Sequence, residues 1–315
     1  MSETFFLLPE TRSVLTVAGD DRAAFLQGLI SNDASKIGPG RAIYAAFLTP
    51  QGKYLHDFSV AASRSPSGGE QFLMDAAAAR SADLLKRLSM YRLRSKVTIA
   101  DVGNEWAVAV IYGAGALDIL HLPPEAGAAV AAGNGVVFTD PRLPGLGARA
   151  FLPKSEALAW LTARGLTQGD ASGYDRLRLA LGIPETDRDL IPDKSILLES
   201  GFDELNGVDW QKGCYMGQEL TARTKYRGLV RKRLLPVTIE GPAPEIGAVI
   251  TAGDKEVGEL RSRAADGSIG LAMLRLEALD ALRKGSSVTL YAGTTKLTPT
   301  LPDWVRLPAA ESAAG

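Results

Sequence analysis

The sequence predicts an α+β fold over roughly its first two-thirds and a small β-barrel or sandwich after it. Runs typical of strands and helices are mixed up to residue 232, whereas residues 233–307 contain six short apolar runs between Gly, Pro and Asp turns. Such a change of pattern is typical of an α+β region joined to a separate all-β domain. A chain of 315 residues also exceeds what one core normally serves, so two or three domains are expected.

Hydrophobic periodicity assigns the elements of the α+β region. Short apolar runs bounded by turn residues predict strands, and alanine- and leucine-rich runs with charges on one side predict helices. The connection at residues 49–53 contains Pro50 and Gly52 and has hairpin length, so the strands that it joins are expected to pair antiparallel. In chain order, the predicted elements are strand 13–17, helix 22–30, strands 42–48 and 54–61, helix 76–90, strands 96–100 and 106–111, helix 113–119, strands 135–138 and 148–152, and helices 155–163 and 172–181.

Six strands and one helix are predicted in the C-terminal region. The Gly-Pro-Ala-Pro sequence at residues 241–244 marks its first hairpin turn, and residues 308–315 form a small-residue tail that is predicted to be disordered. The predicted elements are strands 234–239, 248–252, 256–262, 269–274, 287–291 and 296–301, with a helix at 276–283.

The composition gives no reason to expect a nucleic-acid or membrane partner. Lys and Arg number 35 against 36 Asp and Glu, so any electrostatic function must be local. A single cysteine cannot form an intramolecular disulfide, and alone it cannot hold a zinc ion or an iron–sulfur cluster, which fits a reducing compartment. The N-terminal apolar run lacks a basic region before it, and no stretch approaches the roughly 20 apolar residues of a membrane span. We therefore expect a cytoplasmic protein.

The most informative segment is Lys-Gly-Cys-Tyr-Met-Gly-Gln-Glu at residues 212–219, which contains the only cysteine, Cys214. Residues 217–226 have a helix-compatible composition, so Cys214 is expected just before or at a helix N-terminus, with Lys212 two residues upstream. Both features favour the thiolate over the thiol. A lone cysteine is more often a small buried hydrophobe, but the polar neighbours of Cys214 argue for a functional thiol.

The neighbours of the cysteine have predicted supporting roles. Gly213 and Gly217 permit a close approach to the backbone that a side chain would obstruct. Lys212 is expected to lower the pKa of the thiol or to hold an anion. Gln218 and Glu219 are expected to orient the loop by hydrogen bonding.

Residues 212–219 and their continuation to residue 233 resemble the YgfZ family of folate-binding proteins, which is related to the glycine-cleavage T-protein. The continuation is similar to the mitochondrial branch of that family, which matures iron–sulfur proteins. Weaker matches lie at residues 26–33, 47–53 and 91–97, in the expected order. The resemblance therefore covers essentially the full length.

The resemblance implies a T-protein-like fold with two interleaved α+β subdomains and a six-stranded antiparallel β-barrel around a tetrahydrofolate-sized central cavity. The subdomains would be residues 1–45 with 140–232, and residues 46–139, within a folate-binding-like region 1–232. The implied role is the assembly or repair of iron–sulfur clusters, chiefly for four-iron client enzymes, with tetrahydrofolate as cofactor and an A-type carrier as partner. Cys214 would supply one ligand to a transient cluster shared with that partner, or would do thiol redox chemistry.

Two departures from the relatives bear on folate chemistry. The T-protein carries a glutamate that can bond the amino-pyrimidine edge of a pterin where this chain has Ala180. It also carries paired aspartates, one of them catalytic, where this chain has His56 and Asp57. Aminomethyl transfer is therefore not expected; His56 is interpreted as an ordinary strand residue, and Asp57 stays a candidate pocket carboxylate.

Further candidates follow from the implied folate. The segment 220–233 has six cations and no acid, and could bind the glutamyl tail of a folate or an acidic partner, with a solvated basic face as the alternative. Arg223 and Arg227 would share one helix face, which favours these two as functional. The aromatic residues Tyr91, Tyr174 and Tyr215 could stack on a pterin, although buried packing is the commoner role of each.

These observations predict an iron–sulfur assembly factor rather than a transferase, with Cys214 and Lys212 as its chemical centre. Two other functions stay open. A folate-dependent one-carbon transferase would need a carboxylate to replace those that are missing. A non-catalytic scaffold would dock a cluster carrier through the basic segment and would leave Cys214 inert.

Overall fold

The computed structural model describes residues 3–65 and 68–307, so the predicted disordered tail at 308–315 lies outside the described residues. Its strands are β1 (Phe5–Leu7), β2 (Arg12–Ala18), β3 (Ile43–Leu48), β4 (Tyr54–Arg64), β5 (Glu70–Ala77), β6 (Thr98–Asp101), β7 (Trp106–Tyr112), β8 (Ala129–Ala132), β9 (Gly135–Thr139), β10 (Ala148–Pro153), β11 (Thr167–Gln168), β12 (Lys232–Glu240), β13 (Val249–Ala252), β14 (Lys255–Arg263), β15 (Ile269–Arg275), β16 (Leu290–Ala292) and β17 (Thr295–Pro299).

The helices are short, and 3₁₀ turns supplement them. The α-helices are α1 (Arg22–Gln27), α2 (Ser81–Tyr91), α3 (Ala116–Ile119), α4 (Ala157–Thr162), α5 (Ala171–Ala180), α6 (Gln218–Tyr226) and α7 (Asp280–Arg283). The 3₁₀ turns span Ala34–Lys36, Ala78–Arg80, Pro144–Leu146, Leu197–Ser200 and Leu276–Leu279. Within the described ranges these helices are too short or too polar to span a bilayer.

One compact unit comprises Met1–Ala171 and Leu205–Gln218. It contains a five-stranded sheet in the order β3-β4-β5-β2-β6 and a six-stranded sheet in the order β11-β1-β7-β10-β9-β8. One core forms between α1, α2 and the five-stranded sheet, and another between α3, α4 and the six-stranded sheet. A third core joins the two sheets through residues such as Leu73, Trp106 and Phe151. Apolar side chains on both faces of each sheet therefore build a four-layered unit.

A network of buried ions also links the two sheets of this unit. Asp75 on β5 bonds Arg12 on β2 at 2.6 Å and pairs with Arg149 on β10, whose Nε bonds Asp140 at 2.9 Å. Arg142 bonds the same aspartate at 2.8 Å. Arg142 and Arg149 hold the pKa of Asp140 well below its usual range despite its burial. Each carboxylate is thus compensated in place, as buried charges require.

The second unit comprises Ser172–Glu204 and Glu219–Gly315 and contains a closed barrel in the order β12-β15-β14-β13-β16-β17. Leucine, valine and isoleucine side chains that alternate along the strands fill its interior. The segment around α5 is fixed to the barrel by Arg178, which is fully buried and bonds Asp189 at 2.7 Å. Asp189 in turn accepts a hydrogen bond from the hydroxyl of Ser262 on β14.

The predicted α+β class, the β3–β4 hairpin and the six-stranded barrel are confirmed. Four strands, β1, β5, β8 and β11, were not predicted. The predicted helix 76–90 is wrong at its start, because Ala76 and Ala77 pair with β2 and the helix begins at Ser81. The predicted helix 22–30 likewise ends early, at Gln27. The subdomain boundaries and the central cavity implied by the resemblance stay predictions.

Candidate functional site

The segment that contains Cys214 is a loop at residues 209–218 that belongs to the first unit. Cys214 is exposed and lies four residues before the start of α6. The predictions of an exposed thiol and of a helix directly after it are therefore confirmed. The loop is fixed on both sides of the cysteine, by Lys212 before it and by Gly217 after it.

Lys212 anchors the loop to the segment that follows α1. Its Nζ donates hydrogen bonds to the backbone carbonyls of Gln27 at 2.8 Å, Ile30 at 2.6 Å and Asn32 at 2.8 Å. Nζ also lies 5.0 Å from the centre of the Tyr215 ring, which is buried. Burial lowers the pKa of Lys212 to about 8, while Asp33 and Asp209 oppose that shift, so the ammonium form prevails at neutral pH.

The geometry gives Lys212 a different task from the one that the sequence suggested. An ammonium group has three N–H donors, and all three are engaged with carbonyl oxygens. None is left to hold an anion beside the thiol. Lys212 therefore satisfies backbone carbonyls at the end of α1 and just after it, and so positions the cysteine loop.

Polar side chains hold the loop internally. Oδ1 of Asp209 accepts hydrogen bonds from the backbone N–H of Gln211 at 2.7 Å and of Lys212 at 3.1 Å, while its other oxygen pairs with Lys36. Oε1 of Gln218 accepts from the backbone N–H of Tyr215 at 3.2 Å, as expected for a residue that orients the loop. Glu219 is exposed in the first turn of α6.

The two glycines that flank Cys214 differ in their surroundings. Gly217 has φ +80°, and a Cβ on it would lie 2.6 Å from the carbonyl oxygen of Thr49, 2.8 Å from Cβ of Leu48 and 2.9 Å from Cα of Gly52. The β3–β4 hairpin therefore presses against the loop at this position, where only glycine fits. A Cβ on Gly213 would meet nothing within 4 Å. The expected close approach is confirmed at Gly217 and is absent from the described surroundings of Gly213.

A pair of alanine substitutions tests this difference. Gly217→Ala is expected to destabilise the protein by about 2 kcal/mol or more, because it combines a left-handed φ with contacts that Cβ atoms do not make. Gly213→Ala is the matched control, in the same loop and next to Lys212, and is expected to change stability by less than about 0.5 kcal/mol. Urea unfolding of both variants measures this. Equal stabilities would show that the hairpin does not hold the loop.

Sequence reasoning missed a set of residues that attach the loop to the first unit. Nδ2 of Asn32 donates to the backbone carbonyls of Tyr44 at 2.8 Å and Asn206 at 2.7 Å, and the hydroxyl of Ser31 donates to the carbonyl of Gly207. Asn206 has φ +56°, a conformation that asparagine tolerates better than most residues. The cluster of Asn, Gly and Asp at residues 206–209 was the available signal of a special turn.

The predicted folate residues do not share one environment. Asp57 is buried in β4, where its two oxygens accept the hydroxyls of Tyr44 at 2.8 Å and Tyr54 at 2.6 Å. Tyr91 lies at the exposed end of α2 in the same unit. Tyr174 belongs to the second unit and is buried in α5.

The predicted basic segment divides into exposed and buried cations. Arg223 and Arg227 are exposed at the C-terminal half and the end of α6, whereas Lys225 pairs with Asp203. Arg233 is buried and pairs with Glu204, so it stabilises the second unit rather than lining an open surface.

Family comparisons agree with this architecture. Residues 231–307 match the family model of the CAF17 C-terminal beta-barrel domain, and residues 11–125 match that of the GCVT N-terminal domain. Among solved structures, the chain is similar to the glycine cleavage system aminomethyltransferase T from Bartonella henselae, with a TM-score of 0.73 and 15% identity over 96% of this chain and 87% of that chain. This likeness confirms the T-protein-like fold.

Several curated relatives are similar over most of the chain. The human iron-sulfur cluster assembly factor IBA57, mitochondrial, is 36% identical over 93% of this chain and 83% of its own length, and the mouse protein is 35% identical over the same shares. The Neurospora crassa homologue is 37% identical over 76% of this chain, but that match spans only 55% of the fungal protein.

All three relatives are named as mitochondrial proteins, which contradicts the cytoplasmic location expected from the sequence. The expectation rested on a missing signal peptide and on reducing conditions, and neither distinguishes the cytoplasm from the interior of an organelle. With relatives of 35% and 36% identity over 93% of its length, the chain belongs to the family of the iron-sulfur cluster assembly factor IBA57.

Proposed function

We propose that this protein is an iron–sulfur cluster assembly or repair factor that supports four-iron enzymes and in which Cys214 contacts a cluster or a partner thiol. The observation that carries the proposal is the placement of the only cysteine, exposed on a loop that is fixed on both sides. The membership of the chain in the IBA57 family supports the same function.

The cluster is cargo in this proposal rather than a resident cofactor. Iron in protein-bound clusters is held mainly by several cysteine thiolates, and this chain can offer one. Over residues 3–65 and 68–307, no group of three or more His, Cys, Asp or Glu side chains could hold a metal ion. The remaining ligands must therefore come from a partner, and an A-type carrier that brings its own cysteines fits that requirement.

An exposed thiol on a fixed loop suits a shared ligand. A thiolate bridges two proteins only if its own chain holds it at a constant position while the partner approaches. Lys212 and Gly217 supply that position on either side of Cys214, and the exposure of the thiol permits the approach. The same exposure permits thiol–disulfide exchange with a partner cysteine, the second chemistry that this site could perform.

The residues present do not fit the amino-pyrimidine edge of tetrahydrofolate. That edge is recognised by a carboxylate, and Ala180 has none, while both oxygens of Asp57 already accept tyrosine hydroxyls in a buried setting. The proposal therefore contains no folate-dependent step.

The transferase alternative also lacks one of the paired aspartates, because His56 stands beside Asp57. Burial and the nearby Arg80 lower the pKa of His56 to about 4, although its hydrogen bond to Asp83 opposes this shift. Nε2 of His56 lies 2.8 Å from Oδ2 of Asp83. A pKa near 4 makes the imidazole a weak base, and its Nε2 is engaged with a carboxylate, so His56 is a poor replacement for the missing aspartate.

Anaerobic co-purification with an A-type carrier tests the proposal. We expect wild type to form a complex with visible cluster absorbance, and Cys214→Ser to lose that absorbance because an alcohol is a poor cluster ligand. Gly213→Ala is the control and should behave as wild type. A complex with unchanged absorbance in Cys214→Ser would refute the ligand role and favour the scaffold. No association in any variant would exclude the carrier as partner.

A further inference from the structure

The C-terminal end of α2 exposes an unusual group of apolar side chains. Met90 is 57% exposed, Tyr91 38% and Leu93 88%. Together with Arg92 and Arg94 they form a continuous segment, residues 90–94, which we call the α2 knuckle. Leucine and methionine side chains that are this exposed contribute nothing to the core. Their occurrence close together in one short segment therefore needs another explanation.

Leu93 is also strained. Its φ is +40°, within the left-handed region, which costs an L-residue about 1–2 kcal/mol. Glycine or asparagine would adopt this conformation more easily. Leu93 therefore stabilises the folded chain neither through its backbone conformation nor by burying its side chain. Strained residues with such properties cluster at functional sites.

The knuckle is positively charged. Residues 84–97 contain five cations and no acid, although the whole chain has a net charge of −1. Arg87 is neutralised by Asp83 at 2.8 Å. Arg92 and Arg94 are exposed, and among the described residues neither forms an ion pair. A shallow groove of about 690 Å³ lies along the segment, lined by Asp21, Tyr91, Leu93, Arg94 and Ser95.

The knuckle and the cysteine loop border the same end of β3. The Tyr91 ring packs edge-on against Phe47, with 6.2 Å between the ring centres. Met216, two residues after Cys214, packs against the core that contains Phe47. The next residue of β3, Leu48, is one of three hairpin residues that crowd Gly217, with Thr49 and Gly52. Both features therefore contact the same core and the same end of β3.

We propose that the α2 knuckle docks the protein partner that meets Cys214, through an acidic surface with an apolar socket on that partner. The inference rests on the proposed function and adds the surface that the partner uses. Leu93 and Met90 would enter the socket, because exposed anchors that become buried supply most of the affinity of an interface. Arg92 and Arg94 would pair with carboxylates, which orients the encounter and accelerates it.

Binding of the A-type carrier without its cluster tests this inference, since no cluster then bridges the two proteins. Leu93→Asn is expected to weaken this binding by roughly tenfold, while its unfolding midpoint stays equal or rises because asparagine relieves the strain. The double variant Arg92→Glu/Arg94→Glu is expected to slow association and to reverse its salt dependence. Leu158→Asn is the matched control, because Leu158 is 54% exposed on α4, a helix that packs on a different core.

Equal binding by wild type and the knuckle variants would overturn the inference, as would binding of the knuckle to anionic phospholipid vesicles or to RNA in place of the carrier. A loss of stability in Leu93→Asn would also overturn it, because the leucine would then be structural. If wild type does not bind the carrier, the docking inference is refuted. The proposed function is tested separately, by the four-iron enzyme activities of cells that express Cys214→Ala.

Discussion

Replacing Cys214 with alanine is expected to lower the activities of four-iron enzymes in cells to the level of cells that lack the protein, while the fold remains intact. The thiol is exposed and forms no part of a core, so its removal should change the free energy of unfolding by less than about 0.5 kcal/mol. No other cysteine can take over its role, because the chain has only one.

The experiment compares three strains at equal protein levels: wild type, Cys214→Ala and Gly213→Ala. Two four-iron enzymes and one enzyme without a cluster are assayed in each. The glycine variant controls for a small change beside the thiol, since a methyl group on Gly213 meets open space. Four-iron enzyme activities that stay normal in Cys214→Ala would refute the proposed role of the thiol and leave the scaffold as the better explanation.

The sequence predicted the cysteine site well where the signal was local. A lone cysteine among polar residues, a helix directly after it and a glycine that cannot be replaced all follow from neighbouring residues. Gly217 shows why: its φ of +80° is a property of the turn itself. Gly213 looked equivalent in sequence, but it lacks the positive φ of Gly217 and the contact with the β3–β4 hairpin.

Tertiary pairing explains the errors in the secondary structure. The alanine-rich run at residues 76–79 has high helix propensity, yet Ala76 pairs with Ser13 and Ala77 with Arg12 in the sheet. Pairing with a central strand outweighs a local preference worth a few tenths of a kcal/mol per residue. β1 is only three residues long and is defined by its neighbours in the sheet, so no periodicity could reveal it.

Long-range partners explain the errors at charged residues. Arg233 stands in a run of cations that looked like one basic surface, but its guanidinium is buried against Glu204 and the carbonyl of Leu198. The carbonyls that bind Lys212 lie between 180 and 185 residues earlier in the chain. No spacing rule connects such groups. The nearby thiol made an electronic role for Lys212 the natural interpretation, whereas the three hydrogen bonds of its Nζ favour a mechanical role.

Lys212→Met is therefore expected to destabilise the protein by about 3 kcal/mol, since it leaves three buried carbonyls without a donor. Methionine keeps the apolar stem of the side chain and removes only the ammonium group. Lys36→Met is the control: its lysine is 51% exposed and pairs with Asp209 at the surface, so a change of at most about 1 kcal/mol is expected. Urea unfolding of the two variants gives the comparison.

A second measurement separates the mechanical role of Lys212 from an electronic one. If the ammonium group activated the thiol, Lys212→Met would slow the reaction of Cys214 with a disulfide reagent at neutral pH, with little loss of stability. If Lys212 positions the loop, stability falls and the thiol reacts at least as fast, because the loop that holds it is loosened. A stable Lys212→Met variant with a slowly reacting thiol would contradict the role assigned here. The opposite pair of results would show that Lys212 acts on Cys214 by holding the loop in place.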